Sequence, residues 1–382
     1  MRRPGGQVVR FRGRPSFQQD FPAGQDERSI SGAQGLNPSD MEPVCVKDFT
    51  LPELEEWVQG IGERSFRARQ LFRHVYGRGV RSWSECSDLS RMFRVQLEHG
   101  VELDALSVLK KEQADDGTSK YLFGLRDGHS IEAVLIPDLP RSTLCVSSQV
   151  GCALGCKFCL TGSLGFKRNL SAAEIVDQVC QVQRDLGSRS RITNIVFMGM
   201  GEPLANLDSV LRAIRVIAEP NGMAFSHRRI TLSTAGLVPQ LRRLGRESPV
   251  NLAVSLHAAE NELRAELMPV NRTYPLEVLM AACREYPLPP RKRITFEYIL
   301  LDGINDDPKQ AKQLVKLLHG IRAKVNLMPF NPHPGSVFRK PSEQRVLAFQ
   351  EALQNARITT HVRRSRGGEI GAACGQLVAE YG

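Results

Sequence analysis

The sequence predicts an α/β fold: a partial (β/α)6 TIM-like barrel, with a small N-terminal helical domain and a β-hairpin extension. Three observations predict it. From residue 140 onward, short apolar runs rich in β-branched residues alternate with amphipathic stretches, which is the mark of repeated βα units around a parallel sheet. About six such units can be read, fewer than the eight of a closed barrel. Small and polar residues recur just after the apolar runs, at the strand ends where such sheets carry their active sites.

The whole chain fits this class. Its 382 residues exceed one small domain and suit a large α/β unit with an attachment. Hydrophobic residues make up 41%, and the mean hydropathy of −0.26 is that of a soluble protein. No apolar run reaches the length of a transmembrane helix. The Arg-rich N-terminus lacks the apolar core of a signal peptide, so a cytoplasmic protein is expected. The formal net charge is +10, from 51 Lys and Arg against 41 Asp and Glu. That excess points to an anionic partner, nucleic acid before membrane, although many proteins with such diffuse charge bind nothing anionic. Nine cysteines in such a chain argue for metal or catalytic use over a disulfide framework. Cys45, Cys86, Cys180 and Cys283 have bland surroundings and read as free or buried thiols.

Residues 1–45 are rich in Arg, Gly, Gln, Ser and Pro and cannot bury enough apolar surface to fold alone. They read as a disordered basic arm that touches RNA phosphates, or equally as a dispensable tail. An organellar transit peptide is a third reading, since the first acidic residue is Asp20. Residues 46–105 read as short helices. In the first, Leu51, Leu54 and Trp57 recur at helical spacing, and Thr50 with Glu53 makes a capping box. In the second, Phe66, Leu71, Phe72 and Val75 form an apolar face opposite Arg67, Arg69, Arg73, Arg78 and Arg81. DLSRMFRVQLEH is the third. A small helical domain with a cationic face is a plausible RNA-binding platform; an ordinary solvated face has the same pattern.

Residues 106–138 change period. Two β-rich runs flank Arg126-Asp127-Gly128, a hairpin signal. Glu132 lies in the second run between Ile131 and Ala133. A carboxylate among apolar residues can serve as a base, but the pattern alone favours an outward strand residue. Residues 139–382 hold the barrel. TLCVSSQVG is a strand running into a cysteine loop. SAAEIVDQVCQVQRDLG is a helix with Ser171 as N-cap and Glu174 closing the box. TNIVFMGMGEP, HRRITLSTAG, NLAVSLHA, RITFEYILLDG and KVNLMPFNP are further strands, separated by helical segments. The cysteine loop, residues 199–203, Ser233 to Gly236, Ser255-Leu256-His257 and residues 331–335 all fall at strand ends and converge on one mouth.

The chemistry begins with Cys152, Cys156 and Cys159, spaced C-x3-C-x2-C. Four thiolates close an iron–sulfur cubane for electron transfer. Three leave one iron open, as a catalytic zinc site keeps an open position. Zinc and three incidental cysteines are the competing readings; zinc would want a partner motif of finger-like spacing, and none is present. In the tail, Cys374 lies among Gly371, Ala372, Ala373 and Gly375. That setting suits a mobile, accessible thiol, although composition alone favours a small buried one. Arg363, Arg364 and Arg366 precede it as a cationic cluster suited to phosphate.

These motifs resemble the radical S-adenosylmethionine superfamily, and within it the RlmN/Cfr-type RNA methyltransferases that modify adenosine. The segments carrying the likeness are TLCVSSQVGCALGCKFCLTG, FKRNLSAAEIVDQV, IVFMGMGEPLAN, ITLSTAG, LAVSLHA, LMPFNPHPG and RGGEIGAACGQL, in order, so the likeness covers residues 46–382. It implies that Cys152, Cys156 and Cys159 hold a [4Fe-4S] cluster whose open iron takes S-adenosylmethionine. It further implies that Gly201, Glu202, Ser233, Ser255, Leu256, His257 and Asn331 line the cofactor pocket. By the same likeness Cys374 becomes S-methylated, Cys145 is its resolving partner and Glu132 is the general base. The implied activity is methylation of adenosine C2 in 23S rRNA and in tRNA through a methylcysteine, using two S-adenosylmethionine molecules. The implied partners are those RNAs and an electron donor such as flavodoxin or ferredoxin, with the enzyme a monomer off the membrane. Two rivals remain: C8 methylation of 23S rRNA, as in the Cfr type, and an RNA-binding or electron-transfer protein with a residual cluster.

Overall fold

Thr50 opens the first helix as its sequence dictates. Its backbone N–H donates to Glu53 Oε2 at 2.8 Å, and α1 (Leu51–Gly60) follows with Leu51, Leu54 and Val58 buried. Here a computed structural model describes residues 44–188, 190–333 and 335–379; residues 1–43, nearly all of the basic arm, lie outside the described residues. The second helix, α2 (Phe66–Phe72), buries Ala68, Leu71 and Phe72. It continues as a π-turn over Arg73–Arg78, stopped by Gly79 at φ 65°. Phe66 departs from the expected apolar face. It is the first residue of the helix and stays exposed, with the Arg67 guanidinium 5.0 Å from its ring centre. Ser90 caps α3 (Arg91–Gly100), its Oγ accepting from the Phe93 N–H. Two short strands, β1 (Val44–Cys45) and β2 (Val101–Glu102), pair in parallel and tie the ends of this helical layer together.

Next comes an antiparallel meander of β3 (Ser107–Gln113), β4 (Ser119–Gly124), β5 (Ser130–Asp138) and β6 (Arg141–Cys145). The β4–β5 turn is the predicted one, with Gly128 at φ 81°. The sequence reading missed β3 because its side chains are almost all exposed, so no alternation marks it. The chain beyond β6 also departs from expectation. TLCVSSQVG is not one strand: β6 ends at Cys145, and β7 (Gln149–Gly151) pairs instead with β8 (Phe166–Asn169), on the far side of the cysteine loop and the short α4 (Leu160–Ser163). The break has a polar cause. The Val146 N–H still donates to Val196 O, but the Ser147 N–H donates to the Gln178 side chain, and the Ser148 N–H to Met200 O.

Repeated βα units follow. They are α5 (Ala172–Leu186), β9 (Asn194–Phe197), α6 (Leu207–Ala218), β10 (Ile230–Thr234), α7 (Val238–Glu247), β11 (Asn251–Ser255), α8 (Asn261–Leu267) with α9 (Leu276–Glu285), β12 (Ile294–Leu300), α10 (Pro308–Leu317), β13 (Ala323–Pro329), α11 (Glu343–Asn355) and β14 (Thr359–Val362). The capping box at Ser171 and Glu174 forms as read, with Ser171 N–H to Glu174 Oε2 at 2.9 Å. Strands β6 and β9 to β14 are parallel neighbours, in the order β14-β13-β12-β11-β10-β9-β6-β5-β4-β3. The sheet therefore does not close, and the extension is hydrogen-bonded into it through β6. All residues of β12 are buried, as a parallel strand covered on both faces requires. Among the described residues no helix is long and apolar enough to cross a membrane.

Candidate active site

The cysteine loop is fixed by its backbone. The Cys152 N–H donates to Gly165 O at 2.9 Å, the Lys157 N–H to Leu267 O at 3.0 Å and the Cys159 N–H to Cys156 O at 3.1 Å. Gly151 carries the chain in at φ 72°, and a Cβ there would lie 1.9 Å from Gly165 O. All three thiols are free, partly exposed and on the wall of one cavity of about 160 Å³. Burial pushes the Cys152 thiol up to about 12, and raises Cys156 and Cys159 as well; for Cys156 the neighbouring thiols add to the rise. Thiols so placed become thiolates only around a cation that compensates them. Among the described residues no three His, Cys, Asp or Glu side chains converge on a single ion. Soft donors spread along a cavity wall are a donor set for a polynuclear iron–sulfur group.

The strand ends complete the cavity. After β9 the chain passes Gly199 and Gly201, where a Cβ would come within 2.7 Å of Ser147 Oγ and 2.5 Å of Gln149 Cβ respectively. Glu202 is 4% exposed. Its oxygens accept from the backbone N–H groups of Leu204 at 3.0 Å and Ala235 at 2.8 Å, and burial raises its carboxyl. Ser233, Ser255 and His257 also line the cavity. His257 has φ 59°, uncommon for a residue with a side chain. Its Nδ1 accepts from the Ile299 N–H at 3.0 Å, which assigns the proton of the neutral ring to Nε2. Burial first, and then Arg264, push the imidazole down to about 3. Below this floor lies Arg264, wholly buried, donating to Leu256 O, Ala235 O and Ser255 O. One guanidinium thus ties the ends of β10 and β11 together.

Of three more sequence-predicted residues, Cys374 stands on the cavity wall, while Cys145 and Glu132 do not line the cavity. Cys374 faces the cavity. Its surface is open to that space, while the packed surroundings raise its thiol and Arg363 opposes the rise. Cys145, at the end of β6, is buried; desolvation, then the nearby Cys374, push it up to about 12. Glu132 on β5 is 4% exposed. It is ion-paired to Lys120 at 3.1 Å and accepts from the Val378 N–H at 3.0 Å. Further hydrogen bonds to the tail's carbonyls hold it here: Leu160 N–H to Gly375 O, and the Thr161 and Ser130 hydroxyls to Leu377 O and Ala379 O.

Of the predicted cofactor-pocket residues, Gly201, Glu202, Ser233, Ser255 and His257 share the cavity with the three thiols and Cys374. Leu256 and Asn331 do not line it. The Leu256 side chain is fully buried, and Asn331 Oδ1 accepts from the Ser365 hydroxyl. Sequence reasoning missed Glu297 on β12. This carboxylate is 3% exposed and on the cavity wall; Oε1 accepts from Asn326, and Oε2 has no partner among the described residues. Its signal was present: a charge inside the apolar run ITFEYIL, the pattern that drew attention to Glu132. Arg264 had no such signal, because a lone arginine in an amphipathic helix reads as solvated.

An open parallel barrel with a three-thiol mouth defines a class, and the comparisons name it. Residues 146–315 match the Radical SAM superfamily, and residues 45–103 match the Ribosomal RNA large subunit methyltransferase N-terminal domain. A crystal structure of a radical SAM methyltransferase from Sphaerobacter thermophilus aligns with a TM-score of 0.86 and 46% identity, over 88% of this chain and 100% of that one. The dual-specificity RNA methyltransferase RlmN of Geobacter sulfurreducens is 53% identical over 334 residues, 87% of this chain and 92% of its own. That of Pelobacter propionicus is 51% identical over 88% of this chain and 96% of its own. The chain belongs to the RlmN family of dual-specificity RNA methyltransferases.

Proposed function

We propose that this enzyme methylates C2 of adenosine in 23S rRNA and in tRNA, with Cys374 as the carrier of the methyl group. Its cofactors are a [4Fe-4S] cluster and S-adenosylmethionine. Cys152, Cys156 and Cys159 would hold the cluster, and the mouth formed by Gly201, Glu202, Ser233, Ser255 and His257 would receive S-adenosylmethionine, with Leu256 and Asn331 off the cavity wall. When bound, these groups supply the methyl group and the one-electron chemistry that an electron-poor aromatic carbon demands. An electron donor such as flavodoxin or ferredoxin delivers the electrons, and the enzyme works as a cytoplasmic monomer.

The residues divide the remaining labour. Cys374 Sγ takes the methyl group as a nucleophile and later presents that carbon to adenine C2, giving a covalent protein–RNA adduct. Glu132 accepts the proton from C2. Cys145 thiolate then attacks Cys374 Sγ; an S–S bond forms, the bond from Cys374 sulfur to the transferred carbon breaks with its electron pair passing to that carbon, which takes up a proton to become the methyl group, and methylated RNA leaves. The adenine reaches the mouth unstacked, as base-modifying enzymes require, and the arginines of the helical layer and tail contact the backbone. The observation that carries this reading is the placement of Cys374 on the cavity wall shared by the three thiols, with Cys145 within its electrostatic reach.

Two substitutions test it. Cys374→Ala should abolish methyl transfer while cluster assembly, followed by iron and sulfide analysis, stays intact; normal turnover overturns the carrier role. Cys145→Ala should trap a protein–RNA crosslink on a denaturing gel, and its absence counts against the resolving role. Mass spectrometry of the modified RNA fixes the position: 8-methyladenosine as sole product would replace the C2 assignment with the C8 one.

A further inference from the structure

The β3–β4–β5 extension lines up three charged residues by register. Glu112 on β3 stands directly opposite Lys120 on β4, and Leu122 on β4 directly opposite Glu132 on β5. Because side chains alternate along a strand, Lys120 and Leu122 share a face. Glu112, Lys120 and Glu132 therefore share it too. The Lys120 side chain is 13% exposed, and its Nζ lies 3.1 Å from Glu132 Oε1 and 3.4 Å from Glu112 Oε2. Overhead runs the segment leading to Cys374: a Cβ on Gly371 would sit 3.6 Å from that Nζ. On the other carboxylate oxygen, the Val378 N–H belongs to the segment just past Cys374. Glu132 is thus gripped from both sides of the carrier cysteine's loop, and Lys120 is the charged half of the grip.

We propose that Lys120 is a positioning residue for the proton-removing step, holding the Glu132 carboxylate toward the loop that carries Cys374. This deepens, and rests on, the reading of Glu132 as the base. In that step the C2–H bond of the adduct breaks, its electron pair stays with the adenine, and its proton passes to a Glu132 oxygen. Lys120 exchanges no proton. A buried carboxylate without a counter-charge is costly and loses its orientation. The second carboxylate, Glu112, has a matching role: when Glu132 becomes neutral, the ammonium keeps an anionic partner and is not left unpaired. Glu112 in turn has Lys110 at 2.8 Å on its other oxygen, so the row ends at solvent.

The test uses the reconstituted holoenzyme with substrate RNA. It reads Cys374 methylation by intact-protein mass spectrometry, covalent adduct by denaturing gel, and methylated adenosine by nucleoside analysis. Lys120→Met should keep Cys374 methylation within about twofold of wild type, accumulate adduct, and form product about 10- to 100-fold more slowly, less than the roughly 100- to 10,000-fold that a positioned base itself contributes. Lys120→Arg, which restores a cation, should recover product to within about threefold. Wild-type product formation in Lys120→Met overturns the proposal. So does equal loss of Cys374 methylation and product, which marks a structural role, or a Lys120→Arg variant no better than Lys120→Met. Glu132→Gln separates the two layers. Full product formation there brings down the reading of Glu132 itself, whereas adduct accumulation beside an unaffected Lys120→Met brings down Lys120 alone.

Discussion

At the scale of the residue, His257 shows how burial converts a titratable group into a fixed donor. Its imidazole is pushed from 6.5 down to about 3, by burial first and by Arg264 second. The unfolded chain therefore takes up a proton as pH falls below about 6.5, while the folded chain does not until near 3. The stability contributed is fully present above 6.5 and falls through that window, by about 1.4 kcal/mol per pH unit at most. Replacing His257 by Gln, which can still accept from the Ile299 N–H, should remove this dependence. Urea unfolding at pH 7 and pH 4.5 should show the wild-type advantage shrinking by about 2 kcal/mol; parallel curves would show that His257 is not the titrating group. The same scale shows where reading a sequence stops. The C-x3-C-x2-C spacing states its chemistry outright, because three soft donors within one loop have few other uses. Cys374 and Glu132 do not: a thiol among alanines and glycines, or a carboxylate in a strand, has an ordinary explanation, and only the family likeness singled them out. Glu297 carried the same weak signal with no motif to lift it.

Between elements, one of the ties from the helical layer to the barrel is a buried charge cluster. Lys47, 1% exposed, reaches Asp104 at 2.6 Å and also bonds Asp177 of α5. Asp177 is fully buried, and its other oxygen accepts from the Ala105 and Leu106 N–H groups at 2.8 and 2.9 Å. Burial alone would pull the Lys47 ammonium down, but the thiol and carboxylates around it push it up. Removing one member of such a set leaves the other charge stranded. Asp177→Ala should cost about 3–5 kcal/mol, measured as a lower urea midpoint; a loss below about 1 kcal/mol would mean the layer is held by apolar packing instead. None of this could be read beforehand. Lys47, Asp104 and Asp177 lie far apart in sequence, and each has the look of a solvated residue. The helices and most strands were legible because their periods are local. The edge strand β3 was not, since its exposed side chains erase the alternation that marks a half-buried strand.

For the whole molecule, the net charge of +10 makes a statement about RNA affinity. If the arginines of the helical layer and tail neutralise four or more phosphates, the logarithm of affinity should fall against that of salt with a slope steeper than about −3. Filter binding of substrate RNA between 50 and 200 mM salt, conditions chosen at about the range where such slopes are read, checks this. A slope near zero would confine recognition to the unstacked base. The barrel was legible at this scale because βα repetition is a property of the entire sequence. How the extension joins it was not, because strand neighbours are chosen by side chains distant in sequence.

That junction has a consequence for how such chains can vary in length. Cys145 on β6 pairs with Val134 on β5, two residues beyond Glu132. Parity along β5 therefore decides which side of the sheet the carboxylate occupies. A single inserted or deleted residue between Glu132 and Val134 would turn Glu132 to the opposite face, away from Lys120 and the tail. The Arg126–Gly128 turn lies outside that count and can lengthen without moving the carboxylate. Length differences among related chains should therefore collect in the turn and spare β5.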